Sequence, residues 1–462
     1  MTPRRFRAAG SLLAFLFAAT PAVAQMALPA TQRGVPAGPA SADPIALSLA
    51  DAVARGLERN LAIILEQQHL ASTEGANREA MSALLPHLSG SVRQVRQVVS
   101  TAAFGFDFPG LPSLVGPFDL FDARLGVSTA LFDARAIGGL KGSRALTRAG
   151  RADVREMREA VALAVGVLYL QTEADEARVA SARAQVDTAD ALVRLADDQR
   201  TAGLVAGVDV LRQQVQLQSA RARLIDAENV RDKRKITLAR AIGLPAGQAF
   251  TLTDTPHFVP TPPLTTDEAV NEALANRRDL AAAQARLEAA RALRGAERAG
   301  TLPSVHVDAD VGGIGRSTSA IDRTWSVTAS LHVPIFEGGA TQARTARATA
   351  DLRAREAELA DLTNGVRYEV EAALLDIKAT DASVAVADAA RALSQQELEQ
   401  ARDRFRAGVA SSLELVQAQE SVAASAEQYI TSVYAHAAAT GALVRALGQV
   451  ETYFVAWVGG QQ

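Results

Sequence analysis

Trp325-Ser326-Val327-Thr328-Ala329-Ser330-Leu331-His332-Val333 alternates without a break, apolar at every odd position and polar at every even one. Period two over this length belongs to a β-strand with one apolar and one wetted face. Just upstream, Val305, Val307, Ala309 and Val311 alternate with His306, Asp308 and Asp310, which predicts a second strand of the same kind beside the first. Downstream, Val333-Pro334-Ile335-Phe336-Glu337-Gly338-Gly339 ends the alternation. From Phe336 a helical period runs for about seventy residues, a rod of roughly 100 Å at the rise of an α-helix. The rod ends at Ala407-Gly408, and beyond it Leu415, Val422, Tyr429, His436 and Leu443 stand seven apart. Seven-residue spacing is a coiled-coil seam, so the pattern predicts a long antiparallel helical hairpin with its tip at 408–412. Ahead of the strands, Thr265 with Glu268 has capping-box spacing, opening a helix that runs to about Leu302 and stops at Pro303.

The same plan occurs earlier in the chain. Ala52-Val53 and Leu57 recur as Ala269-Val270 and Leu274, and Leu85-Pro86 recurs as Leu302-Pro303, all at an offset of 217. Ala202-Gly203 recurs as Ala407-Gly408, and Arg240-Ala241-Ile242-Gly243 recurs as Arg445-Ala446-Leu447-Gly448, now at an offset of 205. One register kept on each side of a single net insertion marks an internal duplication. The first half opens at Ser48 with Asp51 three residues on, and its helix is predicted to run to about Leu85. Its strands are less regular, at Leu125, Val127, Thr129 and Leu131 and around Val92 to Val99. A Phe-, Pro- and Gly-rich loop is expected at 101–119. Its hairpin carries Val210, Leu217, Leu224, Arg231 and Leu238 seven apart, with the tip at 203–207.

Composition sets the frame for these elements. The 462 residues are 48% hydrophobic and 5% aromatic with no Cys, and the apolar share rests on Ala, as suits closely packed long helices. The absence of Cys excludes disulfides, thiolate metal sites, a Cys nucleophile and a lipid anchor on Cys. The formal charge of −3 gives no basic footprint for nucleic acid. Arg4, Arg5 and Arg7 precede an apolar run over 11–19, and Ala22-Val23-Ala24 fits a small-residue cleavage site, so residues 1–24 read as a signal peptide. Its removal takes the charge to −6. The expected organisation continues with a Pro/Ala-rich leader (25–47), a first repeat (48–264), a second repeat (265–448) and a C-terminal tail (449–462). With the helices occupied by their own seams, lipid is the partner expected for the strands' apolar face. Four strands cannot close a membrane barrel, since the smallest have eight, so closure calls for several chains.

Helix, strand pair and long hairpin, repeated twice, resemble the TolC-like outer-membrane efflux protein family. Residues 333–339 are similar to that family's strand-to-helix signature, carried by Pro334, Phe336, Glu337, Gly338 and Gly339, with Phe132-Asp133 as the first-half echo. Phe405-Arg406-Ala407-Gly408 and Leu244-Pro245 fit it as well. The resemblance implies a mainly α fold with a membrane β-barrel. Duplicated hairpins would form an α-barrel tunnel, and four strands per chain would contribute to a twelve-stranded barrel in a homotrimer. It implies an exit duct of a tripartite efflux pump or type I secretion system, set in outer-membrane lipid with a large periplasmic portion. The duct would meet a periplasmic adaptor and an inner-membrane pump, with no enzyme activity and no cofactor. A periplasmic coiled-coil adaptor or structural protein is the competing reading, but it has one hairpin set between β domains where this chain has two. An exported enzyme would need a convergent site, and the sequence offers no phosphate loop, nucleophile elbow or metal triad.

The candidate functional residues follow from the same reading. Gly203, Leu204, Val205 and Ala206, with Gly408, Val409, Ala410 and Ser411, either dock an adaptor or serve as plain turns. Six residues beyond each tip glycine stand Asp209 and Glu414. The family implies carboxylate rings there, at a narrow periplasmic gate; helix capping is the simpler role. Some family members bond a Tyr and an Arg near the second tip, where this chain has Phe405 and Ala410. Arg93, Arg96, Asp308 and Asp310 are expected in a wetted lumen or in loops at its edge. His306 and His332 read as polar lumen residues rather than metal ligands, and His436 as a polar seam residue. Trp325, Tyr453 and Trp457 read as interfacial anchors, or as packing for the last two.

Overall fold

The computed structural model describes residues 29–36, 38–101, 103, 105, 114–254 and 258–459. The expected signal peptide lies outside them. Strand β1 (Ile45–Leu47) leads to helix α1 (Leu49–Arg59), which Ser48 and Asp51 start with a reciprocal capping box. Helix α2 (Leu61–Ser82) follows, then β2 (His87–Ser100), β3 (Leu114–Phe132), α3 (Ala134–Thr201) and α4 (Gly207–Ala241). Strand β4 (Phe250–Leu252) pairs parallel with β1. The second half repeats the series as α5 (Thr266–Asn276), α6 (Arg278–Ala299), β5 (Ser304–Ser317), β6 (Ala320–His332), α7 (Ala340–Arg406) and α8 (Ser412–Leu447). Helix α9 (Val450–Gly459) occupies most of the segment expected as a tail.

The opening helix of each half is not continuous. It breaks at Asn60 and at Arg277, two positions related by the 217-residue offset, and both adopt an extended backbone (ψ 132° and 125°). No Pro or Gly marks either break. Asn60 is fully buried and caps α2 by accepting from the Ala62 amide, while its Nδ2 donates to the carbonyls of Thr31 and Ala241. Arg277 holds the matching corner differently, gripping Asp279 with two guanidinium nitrogens and Glu369 of α7 with a third.

Helices α3 and α7 have 68 and 67 residues, while α4 and α8 have 35 and 36. Each return helix therefore covers only half of its rod, and the coiled-coil hairpin is confined to the half beyond the core. The halves nearer the sheet pack instead on α2 and α6. Close approach of α3 to α6 depends on small residues: a Cβ on Gly138 would stand 2.7 Å from that of Ala296. The main core lies where α3 passes the ends of α4 and α8. There Val161, Val165 and Tyr169 meet Leu47, Val53, Ile63, Leu238, Ile242 and Phe454. Tyr169 donates its hydroxyl to the Leu47 carbonyl, which satisfies the one polar atom this large side chain brings inside. A second core joins α5, α6, α7 and α8 through Val270, Leu280, Val366, Val370 and Leu443. Tyr453 and Trp457 stack on each other on α9 at 5.0 Å and pack against these cores, so their role is packing.

Strands β2, β3, β5 and β6 form one antiparallel sheet in that order. Strand β3 starts at Leu114, so part of the loop expected at 101–119 is strand. The edges facing away from β3 and β5, on β2 and β6, pair with nothing among the described residues. One face carries Leu88, Val92, Leu125, Val127, Val307, Val311, Trp325, Val327 and Leu331. It is bare, with Val92 75% and Trp325 76% exposed.

Candidate functional site

At the far end of the hairpins both helix reversals are built alike. Gly203 (φ 76°) and Gly408 (φ 73°) take the left-handed conformation that costs glycine little. Gly203 and Leu204 donate back to the carbonyls of Arg200 and Gln199, and Gly408 and Val409 to those of Phe405 and Arg404. This is a Schellman motif at each tip, closing the orphan carbonyls of α3 and α7. Leu204 and Val409, 66% and 68% exposed, stand out as apolar knobs at the very tips. Val205 and Ala410 turn inward onto a small core of Leu192, Ala196, Val210, Phe405 and Leu415.

The two acids lie in the first turns of α4 and α8. Asp209 accepts from the Ala206 amide (3.2 Å), pairs with Arg212 (3.1 Å), and accepts from the Ser412 hydroxyl of the other hairpin at 2.5 Å. Arg212 also reaches Ser412 Oγ at 3.3 Å. Asp209 thus caps its own helix and ties the two tips together. Glu414 receives the helix start from Ser411, whose Oγ accepts its amide at 3.4 Å, and pairs with Arg404 of α7 at 3.2 Å. A second tie runs through the backbone: Gln199 Nε2 of α3 donates to the Phe405 carbonyl at 2.8 Å. Phe405 is buried, so the position that lacks a hydroxyl contributes its main chain and its ring to the inter-hairpin contact. Sequence reasoning missed Gln199 and Arg212 and placed Ser412 at the second tip without its partner Asp209, because the pairing of one hairpin with the other is set by tertiary packing.

At the other end, residues 333–339 form the link from β6 to α7. Gly338 and Gly339 both have positive φ (60° and 84°). Glu337 accepts from the Thr341 hydroxyl and from Arg344 (2.7 Å), and these hydrogen bonds and the nearby positive charge hold its carboxyl below the usual carboxylate range. In the first half Asp133 does the same work alone, capping α3 through the Ala136 amide at 2.9 Å. Arg135 and Arg344 both reach Glu297 of α6 (3.1 and 3.3 Å), so a collar of ion pairs joins the two halves below the sheet. Ile335 and Phe336 are almost wholly exposed at the apolar face's inner rim, and Pro334 sits between them and the end of β6.

The sheet's polar face carries a cluster of ion pairs and hydrogen bonds across three of its strands. Arg124 binds Asp122 (2.8 Å) and Asp310 (2.9 Å), and Asp310 also accepts from Ser326 at 2.9 Å. Arg93 stands opposite Asp122 on this face with Asp308 and Asp310. Arg96 does not join them: it is three residues from Arg93 with no bulge between, so it pairs with Asp119 on the other face. Period two forbids both arginines the same side. His436 is buried in the seam as expected; its Nε2 lies 3.0 Å from the Val259 carbonyl and its Nδ1 3.4 Å from Asp381. Among the described residues no cluster of His, Asp and Glu is arranged to hold a metal, and no helix is long and apolar enough to cross a membrane.

Comparison with known proteins agrees with this architecture. The chain is similar to the pyoverdine export outer membrane protein OpmQ of Pseudomonas putida KT2440, 29% identical over 343 residues that span 71% of this chain and 70% of that one. OpmQ of Pseudomonas aeruginosa PAO1 is 29% identical over 289 residues, 61% of this chain and 59% of the relative. Among solved structures, the outer-membrane channel OprN superposes with a TM-score of 0.76 at 21% identity, covering 87% of this chain and 90% of OprN. The outer membrane protein VceC of Vibrio cholerae gives 0.75 at 19% identity, covering 87% and 96%. At such identities the likeness is one of fold. The sequence model of the outer membrane efflux protein family matches residues 53–244 and 269–449, one segment in each structural repeat. With duplicated hairpins, an amphipathic sheet and this match across both halves, the chain belongs to the outer membrane efflux protein family, as an outer-membrane exit duct.

Proposed function

We propose that three copies of this chain assemble into one duct, with a twelve-stranded barrel in the outer membrane above a periplasmic tunnel of helices. The observation that carries this reading is the sheet: four strands with one bare apolar face and two open edges. A lone chain would leave that face and those edges in water, whereas three sheets joined edge to edge leave no edge and turn every apolar face to lipid. The helices support the same assembly. Helix α4 keeps a second apolar stripe, with Val208, Val215 and Ile236 at one heptad position and Leu211 and Ile225 at another, all exposed. Helix α7 has its own, with Tyr368 and Leu375 at one position and Val386 and Leu393 at another. Two unpartnered seams on one chain suit head-to-tail packing that closes into a ring.

Asp209 and Glu414 act at the tunnel's narrow end, and the tips from Gly203 to Ala206 and from Gly408 to Ser411 receive a periplasmic adaptor that links the duct to an inner-membrane pump. The duct conducts passively, and pyoverdine, the cargo for which its OpmQ relatives are named, is the first to test. In planar bilayers, D209N/E414Q is expected to raise single-channel conductance and weaken block by multivalent cations. Unchanged conductance and block would assign both acids to capping alone, and recovery of the chain as a soluble monomer would overturn the duct.

A further inference from the structure

Three of the chain's six histidines lie together at one end of the sheet. His87 is the first residue of β2 and His332 the last of β6, while His306 is the third residue of β5. The ladder puts all three on one face: His87 is opposite Ser128, Ser128 is opposite Asp308, and Asp308 is two residues from His306. His332 is opposite Ser304, which is two residues from His306 on the other side. His306 and His332 are therefore diagonal neighbours. The face is the polar one, and the end is the one where every strand meets its helix.

The fixed charges on that face are few. Arg93 and Arg124 stand against Asp122, Asp308, Asp310 and Asp322. Just below, the collar of Arg135, Glu297, Glu337 and Arg344 is paired within itself. With neutral imidazoles the paired residues of the polar face carry two net negative charges per chain, and with all three protonated one net positive charge; Arg316, in the bulge at the far end of β5, adds one positive charge in either state and leaves the change of sign in place. The sign changes, and imidazole is the side chain whose charge changes between pH 8 and 5. Rings of charge lining a narrow passage set which ions enter it.

We propose that His87, His306 and His332 form a protonatable belt where the helical tunnel opens into the barrel, and that this belt sets the duct's ion preference. Above neutral pH the lumen favours cations. As the belt protonates, the preference falls and anionic solutes pass more freely. This rests on the barrel reading above, since the belt lines a lumen only if the sheets close.

Zero-current potentials across a planar bilayer under a KCl gradient test it. For the unmodified protein the cation-over-anion permeability ratio is expected to fall roughly threefold or more between pH 8 and pH 5. In H87N/H306N/H332N, which keeps polar side chains that do not titrate, the ratio should stay near its pH 8 value. A ratio in the unmodified protein that does not change with pH overturns the belt while leaving the duct intact, as does an equal fall in the variant. Should the triple variant not assemble, H306N alone is expected to reduce the pH effect, and an undiminished effect there counts against the proposal. Absence of any channel from the unmodified protein strikes the duct reading itself.

Discussion

Glu159 and Glu173 stand on α3, each more than nine-tenths buried, and neither forms an ion pair among the described residues. Burial pushes both carboxyls up to about 7; Asp254 and Glu176 add repulsion at Glu173, while Arg445 and Arg278 offset part of the shift at Glu159. In the unfolded chain the same groups titrate near 4.5. Between those values the native state holds more protons than the unfolded one, so each glutamate removes stability as pH rises from about 4.5 to about 7. E173Q is expected to stabilise the protein by about 2 kcal/mol at pH 8, with the gain shrinking toward zero below pH 4.5. Unfolding midpoints in detergent across that range check it, and a gain independent of pH would point to packing instead. At the tips, Asp209 satisfies three donors with one carboxylate. Its capping of α4 and its tie to Ser412 are separable, because only the tie crosses between hairpins.

At the scale of elements, the breaks at Asn60 and Arg277 set the angle at which α2 and α6 leave the core. Asn60 does this with one side chain that fills a cap and meets two carbonyls, all inside the protein. N60A is expected to cost about 2–3 kcal/mol, the sum of a lost cap and unsatisfied buried groups, read as a lower unfolding midpoint. The sequence showed the long elements plainly: periodicity of two and seven, the capping boxes at Ser48 and Thr265, and the glycines at the ends of the hairpin helices are local signals. It did not show these two breaks, since extended conformation at a single Asn or Arg is imposed by what packs around it. The acids Asp209 and Glu414 were legible from their distance to the tip glycines, but their partners Ser412 and Arg404 come from the fold around them. The expectation that Arg93 and Arg96 share one lumen missed what counting alone gives, since residues three apart on an unbroken strand point to opposite faces.

For the whole molecule, the unpartnered stripes on α4 and α7 would make the proposed assembly a property of the helices as well as of the sheet. I225K on α4 or L375K on α7 would bury a charge at a chain-to-chain seam without touching the strands. Each is expected to lower the temperature at which the proposed trimer dissociates in detergent gels, and L375K to leave the fold of the separate chain intact by circular dichroism. An unchanged dissociation temperature for both would place those faces toward water. The proposed barrel carries a consequence for the order in which the sheet forms. Strands β2 and β3 form a hairpin from neighbouring sequence, and so do β5 and β6, but the ladder between β3 and β5 joins Thr129 to Val307 across the whole first helical hairpin and helices α5 and α6. Contacts so distant in sequence form late. On the proposed barrel reading, the first half alone would offer only a two-stranded ribbon, too slight to hold itself in lipid. If the sheets close as proposed, a chain that lacks its second half would be unable to insert, and the sheet would commit to the membrane only once both repeats are present.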